Sequence, residues 1–84
     1  MSTSASLVLY TKKNCPLCEE GKAALEMVCE ELEMTFAEKD IYEDDALLED
    51  YQLLIPAVVW QGELIASGHV QMEALKKILT KQRT

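Results

Sequence analysis

Cys15 and Cys18, two thiols separated by two residues, are the part of this chain best suited to covalent chemistry. The thiolate, not the thiol, attacks disulfides and binds metals, so the surroundings decide what such a pair does. Pro16 stands directly after Cys15, and its fixed φ and missing N–H suit the first turn of a helix. A helix N-terminus presents unpaired N–H groups and about half a positive charge, both of which stabilise a thiolate. Cys-x-x-Cys pairs in such a place can have the first thiol's pKa lowered from about 8.5 to anywhere between roughly 3.5 and 7.5. Lys12 and Lys13 add positive field, and Glu19 and Glu20 subtract some. Cys15 precedes the first turn and is the expected exposed nucleophile. Cys18 falls inside the helix on its core-facing stripe, placed to attack the Cys15 sulfur and resolve a mixed disulfide. Pro16 and Leu17 stiffen the ring that a Cys15–Cys18 disulfide would close.

Two other chemistries compete for the same residues. By count alone, Cys15, Cys18, Cys29 and His69 make a zinc set of three thiolates and one imidazole. In a continuous helix Cys29 lies eleven residues past Cys18, about 16 Å along the axis. Zinc–sulfur bonds of about 2.3 Å cannot span that gap, so no metal is expected within one chain. A cluster bridging two chains through Cys15 stays open, as does a merely structural disulfide. Cys29, on the apolar stripe, reads as a buried small hydrophobe. An odd cysteine count with one close pair is no disulfide framework for a secreted mini-protein and fits a reducing compartment.

The elements that must position these thiols follow from the patterning. Leu7–Thr11 is a nearly continuous apolar run, as a strand buried on both faces should be. From Pro16 to about Leu32, Cys18, Leu25, Val28, Cys29 and Leu32 recur at helical spacing, with Gly21 on the same face. Met34–Ile41 alternates as a second strand. Asp44 and Asp45 start a short helix to about Gln52. Ile55–Trp60 is a central strand beside the first, with Pro56 at its start, where strand prolines belong. Gln61-Gly62-Glu63 turns into a fourth strand, Leu64–Ala66, and a last helix runs from Met72 to about Lys81. This order predicts an α/β sandwich: a four-stranded mixed sheet, helices on both faces, parallel pairs at the crossovers and a final antiparallel hairpin. A cis Ile55–Pro56 bond would turn the Ile55 backbone toward the cysteines, where an extended substrate could add as a strand.

At 84 residues the chain has room for one domain, with Met1–Ser6 expected as a disordered lead. A hydrophobic content of 49% can fill a core, and 27% charged residues is ordinary for a globular protein. Eight Lys and Arg against fifteen Asp and Glu give a net charge of −7, which argues against binding nucleic acid or an anionic membrane. No apolar run approaches the roughly 20 residues that span a bilayer, and no signal-peptide pattern opens the chain. The expected location is cytoplasmic and the expected state monomeric.

Leu9-Tyr10-Thr11, Cys15-Pro16-Leu17-Cys18 and Ile55-Pro56 together resemble a glutaredoxin, a small thioredoxin-fold protein. The string Cys15 to Glu20 is similar to that of short glutaredoxin-like proteins carrying Cys-Pro-Leu-Cys-Glu-Glu. Asp40-Ile41, Leu47 and Tyr51 fall where those proteins place similar residues. The resemblance implies a thioredoxin-like fold, Cys15 as nucleophile, Cys18 as resolver and a cis Pro56. It also implies substrate contacts from Lys12, Pro16, Leu17, Ile55, Pro56, Ser67 and Gly68, with Lys12 and the Ile55 backbone meeting a glutathione moiety. Three segments depart from the glutaredoxin pattern. Leu17 replaces an aromatic residue, Leu54-Ile55 replaces Thr-Val, and Ser67-Gly68-His69-Val70-Gln71 replaces Gly-Gly with acidic residues.

The expected activity is therefore thiol–disulfide exchange on protein disulfides or glutathione mixed disulfides, serving cell redox homeostasis. Glutathione, as co-substrate, or a thioredoxin reductase would return electrons, and no cofactor is expected to be bound. The alternatives are a thioredoxin-fold binding or regulatory module with little turnover, and a metal or iron–sulfur carrier using Cys15 in a dimer. His69 is a further candidate proton donor or substrate contact.

Overall fold

The computed structural model describes residues 7–83, and the expected lead at residues 1–6 lies outside them. The chain runs β1 (Leu7–Thr11), α1 (Pro16–Leu32), β2 (Ala37–Asp40), a 3-10 turn (Ile41–Glu43), α2 (Asp45–Tyr51), β3 (Ala57–Trp60), β4 (Glu63–Ser67) and α3 (Met72–Arg83). The four strands form one sheet in the order β2-β1-β3-β4. This is the predicted α/β architecture, with β3 beside β1.

Period-2 alternation along β1 sorts the two faces of the sheet. Leu7, Leu9 and Thr11 are buried on one side, while Val8 and Tyr10 are half-buried on the other. On the first side α1 and α3 pack against each other and the sheet. Their core joins Leu7, Leu9, Leu25, Val28, Cys29, Val58, Trp60, Val70, Leu75 and Leu79. The helical spacing read from sequence is the reason: Cys18, Gly21, Leu25, Val28 and Cys29 are the buried residues of α1. On the opposite side α2 buries no residue fully. It is anchored there by Tyr51, whose ring stacks on Tyr10 at 4.4 Å and 14°.

One expectation is corrected. β1 and β2 are parallel, but β3 runs antiparallel to β1, with Tyr10 opposite Ala57 and Leu7 opposite Trp60. The seven-residue α2 is only about 10 Å long and does not carry the chain back down the sheet. β3 therefore begins where β1 ends and runs the other way. β4 then pairs antiparallel with β3 as expected, through a turn in which Gln61 and Gly62 have φ of 53° and 82°. Positive φ at both central residues gives the hairpin turn a twist matching that of the strands.

Strand β2 is shorter than the Met34–Ile41 expected. Glu33 caps α1 in the left-handed conformation (φ 58°, ψ 45°), and the Met34 N–H closes back on the Cys29 carbonyl at 2.8 Å. That reversal leaves Met34 and Phe36 packed against the core instead of in the ladder. At the other end, Asp40 Oδ1 accepts from the Tyr42 N–H at 2.8 Å and starts the 3-10 turn, which takes Ile41 out of the strand. Ile55 and Pro56 likewise precede β3 proper.

Candidate active site

The loop Lys12–Asn14 leaves the end of β1 and turns through Asn14, at φ 56°, to aim the chain into α1. Cys15 is the N-cap of α1, in extended conformation at φ −123° and ψ 102°, with Pro16 opening the helix. Its sulfur takes the place of a capping oxygen: the Cys18 N–H donates to Cys15 Sγ at 3.2 Å, and the Glu19 N–H donates to the Cys15 carbonyl at 3.1 Å. Unpaired amides at a helix start favour negative charge on the group they face, here a sulfur. Cys15 is half-buried, Cys18 is buried at 3% exposure, and both are free thiols.

The two thiols are therefore unequal. Burial pushes the Cys18 thiol up to about 11, and its hydrogen bond to the Cys15 sulfur adds to the rise. The Lys12 backbone N–H and the Lys12 charge pull more weakly in the other direction. Cys18 thus keeps its proton and directs it at Cys15. Burial alone raises Cys29, far along the same helix and among core side chains.

The other sequence-predicted residues lie on two sides of this pair. On the β3 side the Ile55–Pro56 peptide is cis. Pro56 is fully buried and packs on Gly21, one turn beyond Cys18. The Gly68 N–H donates to the carbonyls of Pro56 at 2.9 Å and Leu54 at 3.2 Å, which joins Ser67 and Gly68 at the end of β4 to the Leu54–Pro56 segment. The Ile55 N–H itself donates to the Tyr51 carbonyl at 3.2 Å. Leu17 is 47% exposed and Lys12 is exposed, so both can meet a substrate. His69 is exposed after β4.

On the β2 side lies a cleft of about 380 Å³, lined in part by Thr11, Lys12, Cys18, Lys22 and Glu38. Glu38 holds it together, accepting from Thr11 Oγ1 at 3.1 Å and pairing with Lys22 Nζ at 2.9 Å. Sequence reasoning missed this cluster. Glu38 and Lys22 are ordinary surface residue types, and only the parallel register that sets Glu38 beside Leu9 reveals their meeting. It also missed the Gly21–Pro56 contact, although a glycine on the buried stripe of a helix was a usable signal. Among the described residues, no three His, Cys, Asp or Glu side chains converge to hold a metal. No helix there is long and apolar enough to cross a membrane.

Residues 6–80 match the family described as Glutaredoxin-like domain (DUF836). The chain belongs to this glutaredoxin-like family. Solved structures agree on the thioredoxin-like fold. Protein XcR50 from X. campestris is 24% identical and superposes with a TM-score of 0.76, over 89% of this chain and 96% of that one. A mutant of the thioredoxin-like protein BC3987 is 29% identical at a TM-score of 0.65, over 89% and 95%. A mutant thioredoxin from Halobacterium salinarum is 23% identical at 0.67, over 92% and 74%. Membership of the glutaredoxin-like family, with the paired thiols at the start of α1, supports a redox-type function in general terms.

Proposed function

We propose that this glutaredoxin-like protein is a thiol–disulfide oxidoreductase in which Cys15 attacks and Cys18 resolves. The observation that carries the proposal is the pairing of a half-buried, amide-capped Cys15 sulfur with a buried, protonated Cys18 behind it. The Cys15 thiolate attacks one sulfur of a substrate disulfide, forming a mixed disulfide and expelling the other sulfur as a thiolate. Cys18 then loses its proton to solvent and attacks Cys15 Sγ. The Cys15–Cys18 disulfide forms, and the second substrate sulfur leaves as a thiolate that solvent protonates. Two electrons pass from the dithiol to the substrate, and an external thiol or a dithiol reductase returns them.

The raised Cys18 pKa suits this division of labour, because a neutral resolver does not compete for the incoming disulfide. Once Cys15 is bonded to substrate, its sulfur no longer accepts the Cys18 proton as an anion, and one cause of the elevation weakens. Substrate docks along Ile55–Pro56 on the β3 side, with Leu17, Ser67 and Gly68 at the rim, and protein or glutathione mixed disulfides are the substrate class. The test is reduction of a glutathionylated peptide, supplied with glutathione, glutathione reductase and NADPH, beside a parallel assay with thioredoxin reductase. Turnover in either assay that disappears in Cys15→Ser is the expected result. Equal turnover in Cys15→Ser would exclude the proposed nucleophile.

A further inference from the structure

Gly21 lies inside α1, where helix propensity alone favours alanine. Its surroundings explain why a hydrogen serves there. A β-carbon at Gly21 would stand 3.2 Å from Pro56 Cγ, 3.3 Å from Pro56 Cβ and 3.4 Å from Val70 Cβ. At such spacings the neighbours must yield by a few tenths of an ångström. Pro56 cannot swing aside, because it is a ring fused to the backbone and fully buried. Its segment is also tethered. The Pro56 and Leu54 carbonyls accept from the Gly68 N–H, and the Leu54 and Ile55 N–H groups donate to the Tyr51 carbonyl at 2.8 and 3.2 Å. A methyl at Gly21 would therefore displace α1 against this segment, and Cys18 is only one turn away on the same rigid helix.

We propose that Gly21 is a positioning residue, which sets the gap between the Cys15–Cys18 turn and the Ile55–Pro56 segment and so favours disulfides carried on an extended peptide over small ones. This rests on the dithiol mechanism above and names the substrate class that the gap selects. A small disulfide needs only a collinear approach of its sulfur to Cys15. A peptide disulfide must also lay its backbone against Ile55 while its sulfur reaches Cys15, so both sides of the gap fix its geometry. Misplacement by about 1 Å can cost about a hundredfold in rate, so a few tenths should cost the peptide about threefold to tenfold.

The experiment compares second-order rates at which the reduced full chain and its Gly21→Ala variant are oxidised by a disulfide-linked extended peptide and by hydroxyethyl disulfide. The expected result is a peptide-to-small-disulfide rate ratio lowered by at least about threefold in Gly21→Ala. Loss of structure would itself remove the Ile55–Pro56 dock and lower the ratio, so the comparison is made on a Gly21→Ala protein whose circular dichroism and urea midpoint match those of the unaltered chain. Should Gly21→Ala fail to fold, the pair Gly21→Ala/Val70→Ala trims the Val70 side chain, whose Cβ stands 3.4 Å from the new methyl, so that this side of the contact can yield, and is compared with Val70→Ala alone. A ratio unmoved in the folded variant, or an unaltered protein that reacts only with the small disulfide, would overturn this inference and leave the dithiol mechanism standing. Reaction of the unaltered protein with neither disulfide would overturn both.

Discussion

At the scale of single residues, the site depends on an inequality between two chemically identical groups. Cys15 caps a helix and faces an amide, whereas Cys18 is buried and holds its proton up to about 11. Against its ordinary 9.0, that leaves Cys18 about a hundredfold less thiolate at pH 8. Limiting iodoacetamide at pH 8, read by peptide mass spectrometry, should therefore label Cys15 far ahead of Cys18. Cys18 should become reactive only as the pH climbs from about 9 toward about 11. The sign extends to stability. A thiol whose folded pKa exceeds its unfolded one favours the fold below the unfolded value, and that contribution is lost as pH rises through the folded one. Equal labelling of the two thiols at pH 8 would contradict the proposed roles. This inequality was partly legible in the sequence, because Pro16 marked the helix start and the apolar stripe carried Cys18 inward. The Cys18-to-Cys15 hydrogen bond was not, since it depends on the Lys12–Asn14 loop returning the chain at one angle.

At the scale of elements, long periodic segments were legible and short ones were not. The α1 boundaries follow from Pro16 and from the stripe ending at Leu32. The β2 boundaries do not, because a left-handed residue and a side-chain cap override alternation at its two ends. The direction of β3 was misjudged because alternating strands and helices normally imply a full crossover, and α2 is too short to make one. The left-handed Glu33 offers a test of this local account. Glycine adopts that conformation without the β-carbon penalty, so Glu33→Gly should stabilise the fold by about 0.5–1 kcal/mol. Urea unfolding should show a raised midpoint at unchanged slope. A lowered midpoint would mean that the Glu33 side chain contributes more than its backbone costs.

At the scale of the whole molecule, one core on one face of the sheet fixes the site, while the other face carries α2. The core holds α1 and α3 against β1 and β3, so the dithiol turn and the Pro56 segment share one rigid support. The −7 charge spreads over a surface where Lys12 and Lys13 stand beside the thiols. The cleft beside Cys18 carries those lysines and Lys22 together with Glu19, Glu38, Asp40 and Glu43, so the thiols sit among mixed charges on an acidic protein, which suits disulfide substrates that are not themselves strongly acidic. The central claim is that Cys15 forms a bond to substrate which only Cys18 can release efficiently. The most direct measurement is to mix reduced Cys18→Ser with a disulfide-linked peptide and follow the intact mass. The account predicts a persistent mixed disulfide at Cys15, absent from the unaltered protein and from a Cys15→Ser/Cys18→Ser double variant. Release of reduced peptide by Cys18→Ser at the unaltered rate, with no adduct, would contradict it.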